Sequence, residues 1–125
     1  MEVQIVCDPT KPALRDRPLI DSGQAERIMK LFKMLGNAGR LRVVHALERA
    51  GELYLSDLAR QVGMTPQALS NQLTRLVDQG IVTSRRAGNN VFYRIADPCV
   101  TSLLDLAICL SEEAGVAAST TERVS

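Results

Sequence analysis

The chain has 125 residues, 46% of them hydrophobic and 23% charged, and its 15 basic against 14 acidic side chains leave a net charge of +1. That length holds one core rather than two, and the balance excludes both a disordered tail protein and a polycationic nucleic-acid coat, though not a local basic patch. Aromatic residues at 3%, with no Trp, argue against a stacking platform for single strands, and a single His excludes a His-rich zinc centre.

Residues 1–21 carry Pro9, Pro12 and Pro18 among mixed charges and keep no helical period, so they read as an extended arm. Ser22 is the expected cap of a first helix in which Ala25, Ile28, Phe32 and Leu35 recur at helical spacing, widened by Met29, Leu31 and Met34, until Gly36 stops it. Asn37 can cap a second helix whose inner face holds Leu41, Val44 and Leu47, with Val43, Ala46 and Ala50 beside them, as far as Gly51. Ser56 is the expected cap of a short third helix with Leu58, Ala59 and Val62 inward, closed by Gly63. Thr65-Pro66 then starts a fourth at once, a capping residue followed by proline at the first helical position. Leu69, Leu73, Leu76 and Val77 are its apolar spine, and Gly80 ends it. The period then changes to two: Ile81–Ala87, a Gly88-Asn89 turn, and Val91, Tyr93 and Ile95 alternating with Phe92 and Arg94 predict a β-hairpin. A last helix is expected from about Asp97 to Ala114, and residues 115–125 read as a frayed tail. The domain is therefore 22–114, between an arm (1–21) and a disordered tail (115–125).

No stretch approaches the ~18 apolar residues of a membrane helix, and the acidic N-terminal residues Glu2 and Asp8 do not suit a signal peptide, so a cytoplasmic protein is expected. Three Cys in that compartment read as thiols rather than a disulfide framework.

The fold class expected is mostly α with a β-hairpin: a winged helix-turn-helix. Helices at about Leu55–Val62 and Pro66–Gln79, joined by a short turn with a glycine, form the helix-turn-helix, and the hairpin is the wing. The second helix has the two faces a DNA reader needs. Leu69, Leu73 and Leu76 dock it on its own domain, while Gln67, Ser70, Asn71, Thr74 and Arg75 face outward. Gln and Asn bond adenine edges in pairs, and Ser bonds bases or phosphates. The hairpin adds Arg85, Arg86 and Arg94, with Asn89 and Asn90 at its tip, suited to phosphates or a narrow minor groove. The bland alternative is a small helical domain with a solvated arginine hairpin.

Residues 36–95 resemble the ArsR/SmtB family of bacterial winged-helix repressors. The run from Leu35 to Arg42 is similar to the family's L-x-D-P-T-R-L-R, and Gly51 to Ala59 to its G-E-L-C-V-C-D-L-A. Leu69-Ser70-Asn71-Gln72-Leu73 resembles its recognition helix V-S-H-H-L, and Arg85 to Arg94 its wing. The resemblance implies a homodimeric repressor, paired through its first and last helices, that binds double-stranded operator DNA with an inverted repeat. An inducer, often a metal ion, would release it.

The family's C-V-C is here Tyr54-Leu55-Ser56, so that thiolate pair is missing. Its Asp-x-His start on the last helix becomes Asp97-Pro98-Cys99, with Leu110 at a second His position, Cys109 beside it, and Glu113 at the Glu position. What remains is sulfur-rich. Cys99 and Cys109, ten residues apart on one helix, lie roughly 15 Å apart along its axis and cannot chelate one ion within a chain. In an antiparallel pair of last helices, Cys99 of one meets Cys109 of the other, giving two sites. Cys7, on the arm, could add a third ligand. Thiolates select soft metals, so Hg(II) or an organomercurial is expected first, then As(III), which needs Cys7, with Cd(II) or Pb(II) also admitted. The same cysteine pair could instead sense oxidants or persulfide, or the cysteines could be small buried residues. A cysteine enzyme would need a nearby base, and His45, the only His, has no spacing motif to provide one. A winged helix that docks a protein rather than DNA is the remaining rival.

Overall fold

All but one of the α-helices start where a side chain accepts one of the first amides, and most of them stop at glycine. In the computed structural model, which describes residues 10–124 with side chains over 10–112, the order is α1 (Ser22–Leu35), α2 (Ala38–Ala50), β1 (Leu53–Tyr54), α3 (Leu55–Val62), α4 (Pro66–Asp78), β2 (Val82–Ala87), β3 (Asn90–Ile95) and α5 (Pro98–Val124). The expected winged helix-turn-helix is present, with one strand more than the hairpin.

Five details differ from expectation. The cap of α1 is Asp21, not Ser22: its carboxylate accepts the Gln24 amide at 2.8 Å, and a negative charge there also suits the positive helix end. Ser56 lies inside α3, whose N-cap is Tyr54 without a side-chain bond. The cause is β1: Leu53 and Tyr54 pair antiparallel with Tyr93 and Phe92, so the helix begins at the first residue past the strand. The arm contains a 3-10 turn at Leu14–Asp16, and α5 runs on to Val124, beyond the boundary expected near Ala114. On α2, Leu41 is only half-buried and Ala50 is exposed, while Val43, Val44, Ala46 and Leu47 are buried.

The core is one cluster. Leu47, Leu58, Leu69, Leu73 and Leu76 are fully buried with Val43, Val44, Ile81 and Val82, and Val100, Leu103 and Leu104 of α5 pack against them. Each fully buried side chain of this size contributes about 1.5–3 kcal/mol of transfer free energy, so the back of α4 is held firmly. The sheet has the order β1-β3-β2, and the β2–β3 register runs from Val82↔Ile95 to Ala87↔Asn90. Gly88 alone of the two turn residues has positive φ (65°), the pattern of a type II′ turn.

Candidate nucleic-acid interface and inducer site

Gly63 turns the chain between α3 and α4 in the left-handed conformation at φ 69°, where a side chain would be strained. Thr65 then caps α4, its hydroxyl accepting the Ala68 amide at 3.2 Å, and Pro66 takes the first helical position. Opposite the buried leucines, Gln67, Asn71, Thr74 and Arg75 are exposed and Ser70 is half-buried. Gln67 donates to Asn71 Oδ1 at 3.5 Å, so the two amides lie along one ridge of the helix. The Thr74 hydroxyl bonds back to the Ser70 carbonyl at 3.0 Å. The helix thus presents the outward polar row expected of it.

Two arginines outside this row hold it in place. Arg40 donates to the Met34 carbonyl at 2.5 Å and to Gln72 Oε1 at 2.8 Å, tying the end of α1 and the start of α2 to α4. Arg42 donates to the Val62 carbonyl at 2.8 Å and closes the end of α3. In the sequence both stand out only as part of the family pattern. Their partners lie 32 and 20 residues away, beyond any local signal.

On the wing, Arg86, Asn89 and Arg94 are exposed. Arg85 is exposed but committed. Its guanidinium makes two bonds to the Glu52 carboxylate, Nε to Oε2 at 2.8 Å and Nη2 to Oε1 at 2.9 Å. It also lies over the Phe92 ring, 4.5 Å from the centroid. Phe92 in turn packs on Tyr54 at 4.5 Å between centroids. The registers Tyr54↔Phe92, Arg85↔Phe92 and Thr83↔Arg94 put these residues and Arg94 on one face of the sheet. Glu52, missed by sequence reasoning, is 33 residues from its partner.

The hydrogen bonds from Arg85, helped by the charges of Arg85 and Arg94 and opposed by desolvation, hold the Glu52 carboxyl below the usual glutamate range. A carboxylate shifted down stabilises the folded chain above its unfolded pKa and loses that contribution as pH falls through its folded value. Both partners are partly exposed, so the effect on stability is small. A side-chain NMR titration is expected to find Glu52 deprotonating at lower pH than an ordinary glutamate, and Arg85→Gln should return it upward.

The cysteines are distributed differently from expectation. Cys99 is half-buried in the first turn of α5 and is disulfide-bonded, so the expectation of three thiols does not hold there. Its amide donates to the Asp97 carboxylate at 2.8 Å. Asp97 therefore serves the start of α5 in the place where the family pattern suggested a ligand. Cys109 is exposed. The two cannot be joined within a chain, because roughly 15 Å along the axis far exceeds the ~4.4–6.8 Å Cα separation of a disulfide. Cys7 lies outside the described residues, as does the Glu113 side chain. Among the described residues, no group of three or more His, Cys, Asp or Glu is close enough to hold a metal ion.

The same helix has an uncovered apolar side. Leu106 and Leu110 of α5 are exposed, as are Ile28, Met29 and Phe32 of α1. An apolar hollow of about 200 Å³ lies between α1, α2 and α5, lined by residues including Phe32, Leu41, Val100 and Ala107. His45 is exposed at the edge of a second groove between α2 and α5. No described helix is long and apolar enough to cross a membrane.

The fold and the two-faced α4 define a winged-helix regulator. The pattern of the arsR family of bacterial regulatory proteins matches residues 37–84. The HTH-type transcriptional regulator NmtR of Mycobacterium tuberculosis is 38% identical over 100 residues, 78% of this chain and 82% of that protein. The chain therefore belongs to the ArsR family, whose members are DNA-binding transcriptional regulators rather than enzymes. Among solved structures, that of the AntR antimony-specific transcriptional repressor is 55% identical, with a TM-score of 0.75, covering 85% of this chain and 96% of that one. The homodimeric winged helix-turn-helix DNA-binding domain (fragment 1-100) Mb0332 from Mycobacterium bovis is 28% identical, with a TM-score of 0.68, covering 78% and 89%.

Proposed function

We propose that this chain is a homodimeric transcriptional repressor, released from an inverted-repeat operator when a trivalent antimony or arsenic species binds its cysteine thiolates. The observation that carries the inducer class is the 55% identity to an antimony-specific repressor over 85% of the chain, combined with candidate ligands that are all sulfur. Sulfur count alone puts Hg(II) first, because two thiolates satisfy it. The similarity moves trivalent antimony ahead, with As(III) beside it, then Hg(II), and Cd(II) or Pb(II) last.

Pairing is supported by the exposed apolar residues of α1 and α5 and by the homodimeric relative. In an antiparallel α5 pair, Cys99 of one protomer and Cys109 of its partner supply two thiolates, and Cys7 a third. Two α4 helices would then enter successive major grooves about 34 Å apart. Gln67, Ser70, Asn71, Thr74 and Arg75 read the grooves, and Arg86, Asn89 and Arg94 meet the backbone or minor groove. Inducer binding acts through its different affinity for the DNA-bound and unbound forms.

The test is a gel-shift titration of reduced protein on duplex DNA from its own upstream region. Sb(III) and arsenite are expected to lower operator affinity by about 5–150-fold, the usual range of allosteric coupling. Release by Hg(II) alone would overturn the trivalent assignment, and release by Zn(II) alone would overturn the sulfur site. The disulfide at Cys99 supports a second reading, a thiol-redox sensor. There a peroxide or persulfide takes two electrons from a pair of thiols, two protons leave, and DNA is released without metal.

A further inference from the structure

Arg85 is a wing cation with a guanidinium fork suited to a phosphate, and the chain already occupies it. A guanidinium fork binds a carboxylate and a phosphate in the same bidentate way. Glu52, between α2 and β1, takes both prongs at 2.8 and 2.9 Å. Phe92 holds the plane of the fork from one side at 4.5 Å, and Tyr54 backs Phe92. The neighbouring Arg94 shares this face through its pairing with Thr83, and among the described residues it forms no ion pair.

We infer that Glu52 sets the strength and salt dependence of the DNA interface: it occupies the Arg85 fork as an internal substitute for phosphate and withholds that cation from the DNA backbone. The inference rests on the DNA-binding reading above. Backbone contacts raise affinity for every sequence alike, whereas base contacts discriminate. Keeping one phosphate-binding fork closed lowers indiscriminate binding and leaves the base-reading row of α4 a larger share of the total. A plain surface ion pair would be worth little, but this one sets how many counterions the protein releases on DNA.

The experiment measures duplex affinity of the full chain against salt, on operator and on unrelated DNA, for wild type, Glu52→Gln, Arg85→Gln and the double variant. Each added phosphate contact steepens the slope of log affinity against log salt by about 0.9. Glu52→Gln is expected to steepen the slope by about that amount, an extra loss of about 3.5-fold over a fourfold rise in salt. It should raise affinity for operator and unrelated DNA by the same factor and leave their ratio unchanged, and it should have no effect when Arg85 is already Gln. Circular-dichroism melts of all four proteins establish that each is folded. An equal Glu52→Gln effect in both Arg85 backgrounds would mean simple charge repulsion and would overturn the inference. So would an unchanged slope in Glu52→Gln, or a flattening of about 0.9 in Arg85→Gln alone, since Arg85 would then already touch phosphate. If no protein binds duplex in a salt-dependent way, the DNA-binding reading itself fails.

Discussion

Leu73→Ala is expected to destabilise the fold by about 2–5 kcal/mol, a large part of the ~5–15 kcal/mol a domain of this kind has in total. Leu73 is fully buried in the middle of α4, flanked on the same face by Leu69 and Leu76, which are also fully buried. Truncation leaves a cavity that rigid neighbours on several elements cannot close. Urea denaturation should give a lower midpoint with an unchanged slope, and operator binding should fall with the folded fraction. Asn71→Ala, two residues away on the exposed side, is expected to behave oppositely. Its stability should stay within about 0.5 kcal/mol of wild type, while operator affinity drops by about 1–3 kcal/mol. If Leu73→Ala left the midpoint in place, α4 would not be anchored by its leucine spine.

Cys99→Ser and Cys109→Ser, each as the only change, are expected to abolish release by Sb(III) while leaving operator affinity intact, a loss of the entire ~5–150-fold response. The separation of about 15 Å along α5 makes a stronger outcome available. Each homodimer of a single variant lacks one half of both proposed sites. A mixture of the two re-pairs into dimers in which one chain keeps Cys99 and the other keeps Cys109, restoring one complete site. With statistical exchange about half the dimers are mixed, so about a quarter of wild-type antimony binding should return. Equilibrium dialysis on the mixed and unmixed reduced proteins reads this directly. If mixing restores nothing, the two thiols do not meet across the pair.

Much of the fold was legible because its signals are local. Thr65-Pro66 marks the start of α4, and the leucines that follow keep helical spacing and are the buried ones. The hairpin was legible from alternation around Gly88-Asn89. What escaped depends on distant partners or close competitors. Strand β1 is only two residues long and exists because β3 lies beside it, so Leu53-Tyr54 carries no period of its own. At the start of α1, Asp21 and Ser22 are adjacent residues of equal capping chemistry, and only geometry separates them. The outward row of α4 was readable from one helix. The pairing of Glu52 with Arg85 spans 33 residues and was not. Cys99 and Cys109 were identified as chemistry, but the disulfide at Cys99 and the use of Asp97 at the helix start are tertiary facts that spacing does not encode.

The short strand β1 joins the lead-in of α3 to β3, the return strand of the wing, while Ile81 and Val82 at the wing's base are buried in the same cluster as the α4 leucines. Reader and wing are consequently welded into a single block, with little room to bend against each other. On the proposed reading, an effector held between the last helices would find nothing inside that block to loosen. Its leverage would fall on the distance and tilt between two such blocks, which would make the gap between protomers the natural unit of regulation.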